Sequence, residues 1–321
     1  MFRGFLLLTL TILFVVQARS DETPQFANAP QASEEAAVRV EKTTIPHLDI
    51  QYIPATSGVT LPIHFVPPSN PVKNTFVFIG GLDSDIESFD HVADLLLPLG
   101  YGVLQLELNG QGELISKSPI MQVIPVPVQS QDLISILDQL RIDKTKVALV
   151  GESYGAAVAI QVANDILNRD KMNVASLNLI NPLSPASNVA FAPIYMRLKN
   201  ISGEGPGNSP NIRDLLVYLS ARGEYAAQSE EAFDLNEVTA AYDLFMGIPL
   251  ENASQLTAVK TKVNTLDGLA DLVLPSSEKS ELFERVPMEY RGLYKSVDGM
   301  SHRAGEEFPE EVSRFLNDSN P

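Results

Sequence analysis

Val147–Ile160, VALVGESYGAAVAI, constrains the fold of this 321-residue chain more than any other stretch. Lys146 to Val150 reads as a strand buried on both faces of a sheet, and Ala156 to Leu167 as a helix of small residues packed close against it. Only five residues lie between them, so the chain must reverse sharply at Ser153. Such a turn forces its central residue into unfavourable backbone angles. Gly151 and Gly155, two residues to either side, remove the Cβ atoms that would collide as strand and helix close together. A strand that feeds straight into a packed helix belongs to a parallel α/β sheet.

The rest of the chain keeps that rhythm. Leu48 to Ile53 and Thr60 to Phe65 read as paired strands, and Thr75 to Ile79 and Tyr101 to Leu106 as the next two. Amphipathic helices are expected at Ser88 to Leu99 and Gln129 to Ile142, followed by a sixth strand at Val174 to Ile180. The alternation stops after Pro182, where residues 183–257 carry helical patterns and a Gly/Pro-rich loop but no clear strand. It resumes with strands at Val259 to Leu266 and Leu293 to Val297, and helices near Ser276 to Phe283 and at Phe308 to Leu316. The expected architecture is a mostly parallel central sheet flanked by helices. Its core is residues 45–182 and 258–318, with a helical cap at 183–257 inserted after the sixth strand.

Residues 1–20 differ in kind. Arg3 precedes an uncharged apolar run, and Ala18-Arg19-Ser20 places small residues at the spacing a signal peptidase reads. The run is short for a bilayer span, so a removed signal peptide is expected; an uncleaved N-terminal anchor is the alternative. Residues 21–44 read as a flexible leader. The chain has no cysteine, so an exported protein of this kind must rest on its core alone, which fits bacterial export to the periplasm or medium. A net charge of −17 argues against a nucleic-acid partner. With four scattered histidines and no cysteine, no metal cluster can be assembled, and no nucleotide fingerprint calls for a cofactor. The composition says nothing of oligomeric state.

Ser153 would project at the carboxyl edge of the sheet, the place where ligands bind in such folds. A nucleophilic serine needs a base. His47 precedes the first strand, His64 lies within an early one and His91 sits on the first helix, whereas His302 follows the last strand on the side of Ser153. The base needs an orienting carboxylate, and both Asp267 and Asp271 lie after the strand ending at Leu266. Gly80 and Gly81 end an early strand and let backbone approach a ligand. The N–H groups of Leu82 and Tyr154 would then converge on a developing oxyanion, each worth ~3 kcal/mol to the transition state.

Together these residues resemble the α/β-hydrolase superfamily from about Ile45 to Leu316. Gly151-Glu152-Ser153-Tyr154-Gly155 matches its nucleophile elbow, and Phe78-Ile79-Gly80-Gly81-Leu82 its oxyanion segment, with Gly80 where histidine is usual. Glu107-Leu108-Asn109-Gly110-Gln111-Gly112 resembles its Asp-x-x-Gly-x-Gly stretch with Glu107 for aspartate. Gly268-x-x-Asp271-x-x-x-Pro275 matches the acid loop, favouring Asp271 over Asp267, and Gly299-x-x-His302 fits the histidine loop.

The resemblance implies a Ser153, Asp271 and His302 triad working through an acyl-enzyme on a small acyl substrate. Serine at the elbow argues against the haloalkane and epoxide chemistries, which use aspartate there. Carboxylic-ester cleavage is the leading expectation. Amide, thioester or lactone cleavage uses the same triad, and a non-catalytic envelope binding protein on the same fold is the rival from another class. Phe191, Tyr195, Tyr218, Tyr242, Phe245 and Met246 would line an acyl pocket or form the core of the cap.

Overall fold

Alternate residues of the central strands feed two separate cores. Phe76 and Phe78 of Thr75–Ile79 pack into one, while Val77 and Ile79 pack into the other. Val147 and Leu149 likewise oppose Ala148 and Val150. A strand buried on both faces must be apolar throughout, which is why these segments are continuous hydrophobic runs rather than alternating ones. The computed structural model of the chain describes residues 50–81, 84–112, 114, 124–183, 248, 252–271, 274 and 276–320.

Eight strands form one sheet: β1 (Gln51–Pro54), β2 (Thr60–Val66), β3 (Thr75–Ile79), β4 (Gly102–Leu106), β5 (Val147–Glu152), β6 (Ser176–Ile180), β7 (Lys262–Gly268) and β8 (Arg291–Val297). Their order across the sheet is β1-β2-β4-β3-β5-β6-β7-β8. β1, β2 and β4 pair antiparallel, and every other neighbouring pair is parallel. The six helices described are α1 (Asp90–Leu96), α2 (Val126–Gln139), α3 (Tyr154–Asp170), α4 (Ser276–Glu284), α5 (Ala304–Glu307) and α6 (Pro309–Ser319). Residues of α2, α3 and α4 build one core, and residues of α1, α5 and α6 build the other. This is the α/β-hydrolase architecture.

The boundaries of α2, α3 and β7 differ from the sequence expectation in informative ways. α2 starts at Val126, before the expected Gln129, because Pro127 stands in its first turn, where a missing N–H breaks no helical bond. α3 runs on from Leu167 to Asp170 and stops at Lys171, whose φ of 58° is left-handed. β7 begins at Lys262 and continues to Gly268, which moves Asp267 out of the expected loop and into the strand.

The expected signal segment and leader and nearly all of the expected cap lie outside the described residues. Of the region 183–257, the structure describes Leu183, Ile248 and most of a 3-10 run at Asn252–Ala258. That run packs onto α3, where the Asn252 amide donates to the Ala157 carbonyl over 3.0 Å. Among the described residues no helix is long and apolar enough to cross a membrane.

Candidate active site

Ser153 stands between the last residue of β5 and the first of α3, with φ 52° and ψ −117°. A non-glycine residue there carries about 1–3 kcal/mol of backbone strain, held in place by its surroundings. Its N–H donates to the Ile180 carbonyl over 2.9 Å, and its carbonyl accepts from Leu183 over 3.0 Å. The flanking glycines are required by close approach. A Cβ on Gly155 would stand 2.0 Å from the Ile79 carbonyl oxygen, and one on Gly151 would stand 2.5 Å from that of Gly155.

Three expected site residues meet at this turn. The Nε2 of His302 lies 2.8 Å from the Ser153 hydroxyl, and its Nδ1 lies 3.0 Å from Oδ2 of Asp271. Asp271 follows β7 and His302 follows β8, so each reaches the elbow from a parallel strand's carboxyl end. The two loops are joined by backbone: Leu269 donates to Val297 over 3.0 Å and Ala270 to Met300 over 3.1 Å. Burial works to raise the Asp271 carboxyl. Its hydrogen bond with His302, the charges of His302 and Lys279, and the Leu274 N–H outweigh that and hold it below the usual carboxylate range.

Asp267, the other carboxylate the sequence allowed, serves a different group. It accepts from the Tyr294 hydroxyl at 3.0 Å and from Ser276 at 3.1 Å, and it pairs with the Lys279 ammonium at 2.7 Å. Lys279 also reaches Oδ2 of Asp271 at 3.1 Å and the Gly268 carbonyl at 3.0 Å, with its side chain fully buried. Asn181, left-handed at φ 41°, stitches the same loops. Its Oδ1 accepts from Gly268 and Lys279, and its amide donates to the Ser301 and His302 carbonyls over 2.9 and 3.1 Å.

Gly80 and Gly81 follow β3 beside Ser153, where a Cβ on Gly81 would stand 3.3 Å from the Ser153 Cβ. Leu82 lies outside the described residues. Tyr154 opens α3, so its N–H belongs to a first helical turn that lacks helical acceptors. The Tyr154 ring is turned away and buried, its hydroxyl donating to Gln129 over 2.8 Å. The absence of histidine at Gly80 has a local cause: a Cβ there would fall 2.2 Å from that of Ser84. The Gln111 amide instead holds the Gly80 and Gly81 carbonyls from behind.

Glu152 precedes the serine and is buried. Its carboxylate accepts from the Gly305 N–H over 3.0 Å, directly beyond His302. Burial pushes its carboxyl up to about 7, against the opposing pull of the Gly305 and Ala304 N–H groups and of His302. The folded state therefore favours the protonated form. That contribution is full below the ordinary value of 4.5 and is lost as pH rises through about 7. Glu152→Gln lacks this titration. Its stability relative to the parent should climb by on the order of 3 kcal/mol between those pH values, read from denaturant midpoints. A difference that stays flat with pH would refute the assignment.

Sequence reasoning passed over Lys279, Asn181, Gln111 and Glu152. A lysine in an amphipathic helix and an asparagine before proline carry no signal of burial. Only the position of Glu152 inside the elbow could have drawn notice.

The chain's sequence matches the model of the family described as serine aminopeptidase, S33, over residues 70–307. The chain belongs to that family. The hydrolase also shares 32% identity over 126 residues with the α/β hydrolase pydG of an Acremonium species, which is 35% of this chain and 30% of that protein. The match thus spans under a third of that relative's length. Among solved structures, a malate-bound thermophilic esterase from Thermogutta terrifontis superposes with a TM-score of 0.60 at 18% identity, covering 84% of this chain and 97% of that one. An esterase from Exiguobacterium antarcticum gives 0.59 at 15% identity, over 83% and 97% of the two chains. The 2,6-dihydroxy-pseudo-oxynicotine hydrolase gives 0.56 at 20%, over 85% and 68%. At these identities the likeness shows the fold, and the family match makes the chain an α/β-hydrolase enzyme.

Proposed function

We propose that this hydrolase is an exported serine esterase that cleaves a small carboxylic ester through an acyl-enzyme. The observation that carries this reading is the hydrogen-bonded row from Ser153 through His302 to Asp271, built on a strained elbow. With Asp271 ionised, Nδ1 of His302 holds the proton and Nε2 offers its lone pair to the serine hydroxyl. His302 takes that proton as Ser153 Oγ attacks the ester carbonyl carbon. The carbonyl oxygen becomes an oxyanion facing the Tyr154 N–H, with the Leu82 N–H as the expected second donor. Collapse breaks the ester C–O bond, and His302 returns the proton to the leaving alcohol. Water then adds to the acyl-enzyme with His302 again as base, releasing the acid and restoring Ser153.

Export rests on residues 1–20; an intact mass beginning after Ser20 in the exported protein supports it, and a retained leader refutes it. The family's description as a serine aminopeptidase favours a peptide-bond substrate as the second reading. A panel of p-nitrophenyl acyl esters against aminoacyl p-nitroanilides separates the two. Faster turnover of the esters is expected, and preference for the anilides selects the second. An enzyme that ignores both and resists fluorophosphonate labelling would sink the serine-hydrolase reading.

A further inference from the structure

Behind the Ser153–His302–Asp271 row sits a fully buried ammonium. Lys279 Nζ and His302 Nδ1 approach the same carboxylate oxygen, Oδ2 of Asp271, at 3.1 and 3.0 Å, so the two nitrogens stand no more than about 6 Å apart. A lysine with no exposed side-chain surface is costly unless its charge is matched. Here it is matched twice, by Asp271 and by Asp267 at 2.7 Å. Its three N–H groups donate to Asp271, Asn181 and Gly268 oxygens, and Asp267 adds a second opposite charge.

The arrangement has a consequence for His302. With the imidazole neutral, two carboxylates face one ammonium, leaving one net negative charge. When His302 takes a proton, the cluster becomes neutral. Lys279 therefore subtracts from the pull that Asp271 exerts on the imidazolium, and Asp267 restores part of it. We propose that Lys279, clamped between Asp267 and Asp271, is a positioning residue that fixes the angle of Asp271 and sets how strongly His302 holds its proton. Asp267 is its counter-charge. The proposal deepens the reading of His302 as the base and rests on it for its catalytic meaning.

Other charges face His302 and are the same in the parent and every variant, including Glu152, whose own titration near pH 7 is common to all of them. Glu152 at the end of β5 lies within electrostatic reach, and Glu306 on α5 lies near Glu152. Arg303 is adjacent in the chain and pairs with Glu306 at 3.4 Å.

The experiment follows the imidazole titration of His302 by NMR in the full-length protein. The resonance is identified by its loss in His302→Ala, a simple task with four histidines. The rate of fluorophosphonate labelling against pH is measured in parallel. Lys279→Met should move the His302 midpoint up, because a compensating positive charge is gone. Asp267→Asn should move it down by a similar amount, and the double variant should return it near the parent. A lysine that only packs would lower stability in each variant without opposite shifts.

Midpoints that stay put or move in the same direction overturn the proposal. If Lys279→Met fails to fold, Asp267→Asn alone decides: a midpoint that stays or rises overturns it. The acid limb of labelling should follow the same midpoints. Opposite NMR shifts without a matching labelling limb would leave the electrostatic coupling standing and remove His302 as the base. Normal labelling without NMR shifts would do the reverse.

Discussion

Ser153→Ala is expected to lower ester hydrolysis by roughly 10⁴- to 10⁶-fold and to abolish fluorophosphonate labelling, with the fold retained. The size follows from what the hydroxyl does. It supplies the attacking oxygen, and its proton goes to a base already 2.8 Å away. The fold should survive because alanine accepts the same left-handed backbone at similar cost, and the backbone bonds to Ile180 and Leu183 do not involve the hydroxyl. Asp271→Asn adds a sharper test. An amide at that position can present N–H to Nδ1, which would favour the tautomer with its proton on Nε2, facing the serine. A loss of about 10⁴-fold is expected from that change alone. Purified variants assayed with p-nitrophenyl esters and checked by circular dichroism decide the matter. Folded Ser153→Ala protein with parental turnover would refute Ser153 as the nucleophile.

Much of this site was legible because its chemistry sits at strand ends, and these strands announce themselves. Thr75–Ile79 and Val147–Val150 are continuous apolar runs, which only a sheet covered on both faces requires. Once the parallel order is set, Ser153, the acid loop and the histidine loop must emerge on one edge. Choosing between Asp267 and Asp271 was beyond periodicity, since a two-residue difference in the end of β7 decides which one leaves the sheet. Observed β7 keeps Asp267 in the strand, pointing to Lys279 and Tyr294, and lets Asp271 turn toward His302.

The side chains that support the site were far less legible. Lys279 reads as a solvated helix residue, and its burial depends on Asn181, 98 positions away in sequence. Gln111 and Glu152 likewise act through backbone groups, the carbonyls of Gly80 and Gly81 and the N–H of Gly305. Backbone groups exist at every position, so no residue pattern marks which of them a side chain will find.

Gly155→Ala should be the most damaging single-methyl change in the described fold, costing at least about 3 kcal/mol of stability. The added Cβ would lie 2.0 Å from the Ile79 carbonyl oxygen and 2.6 Å from that of Gly80. Both obstacles are backbone, and both belong to the end of β3 and the segment after it. A rotamer change cannot relieve them; α3 must move off the sheet. That motion would pull Ser153 away from the Gly80–Gly81 segment, so activity should fall further than the folded fraction does. Gly58→Ala is the control. Gly58 has a φ of 89° in the turn between β1 and β2, yet a Cβ there meets nothing within 4 Å. Its substitution carries the backbone penalty alone, about 1–2 kcal/mol, with catalysis intact. Denaturant midpoints and ester turnover on the two variants separate steric closure from backbone preference. If Gly155→Ala proves no costlier than Gly58→Ala, the tight contact between β3 and α3 is not what holds the elbow in its strained shape.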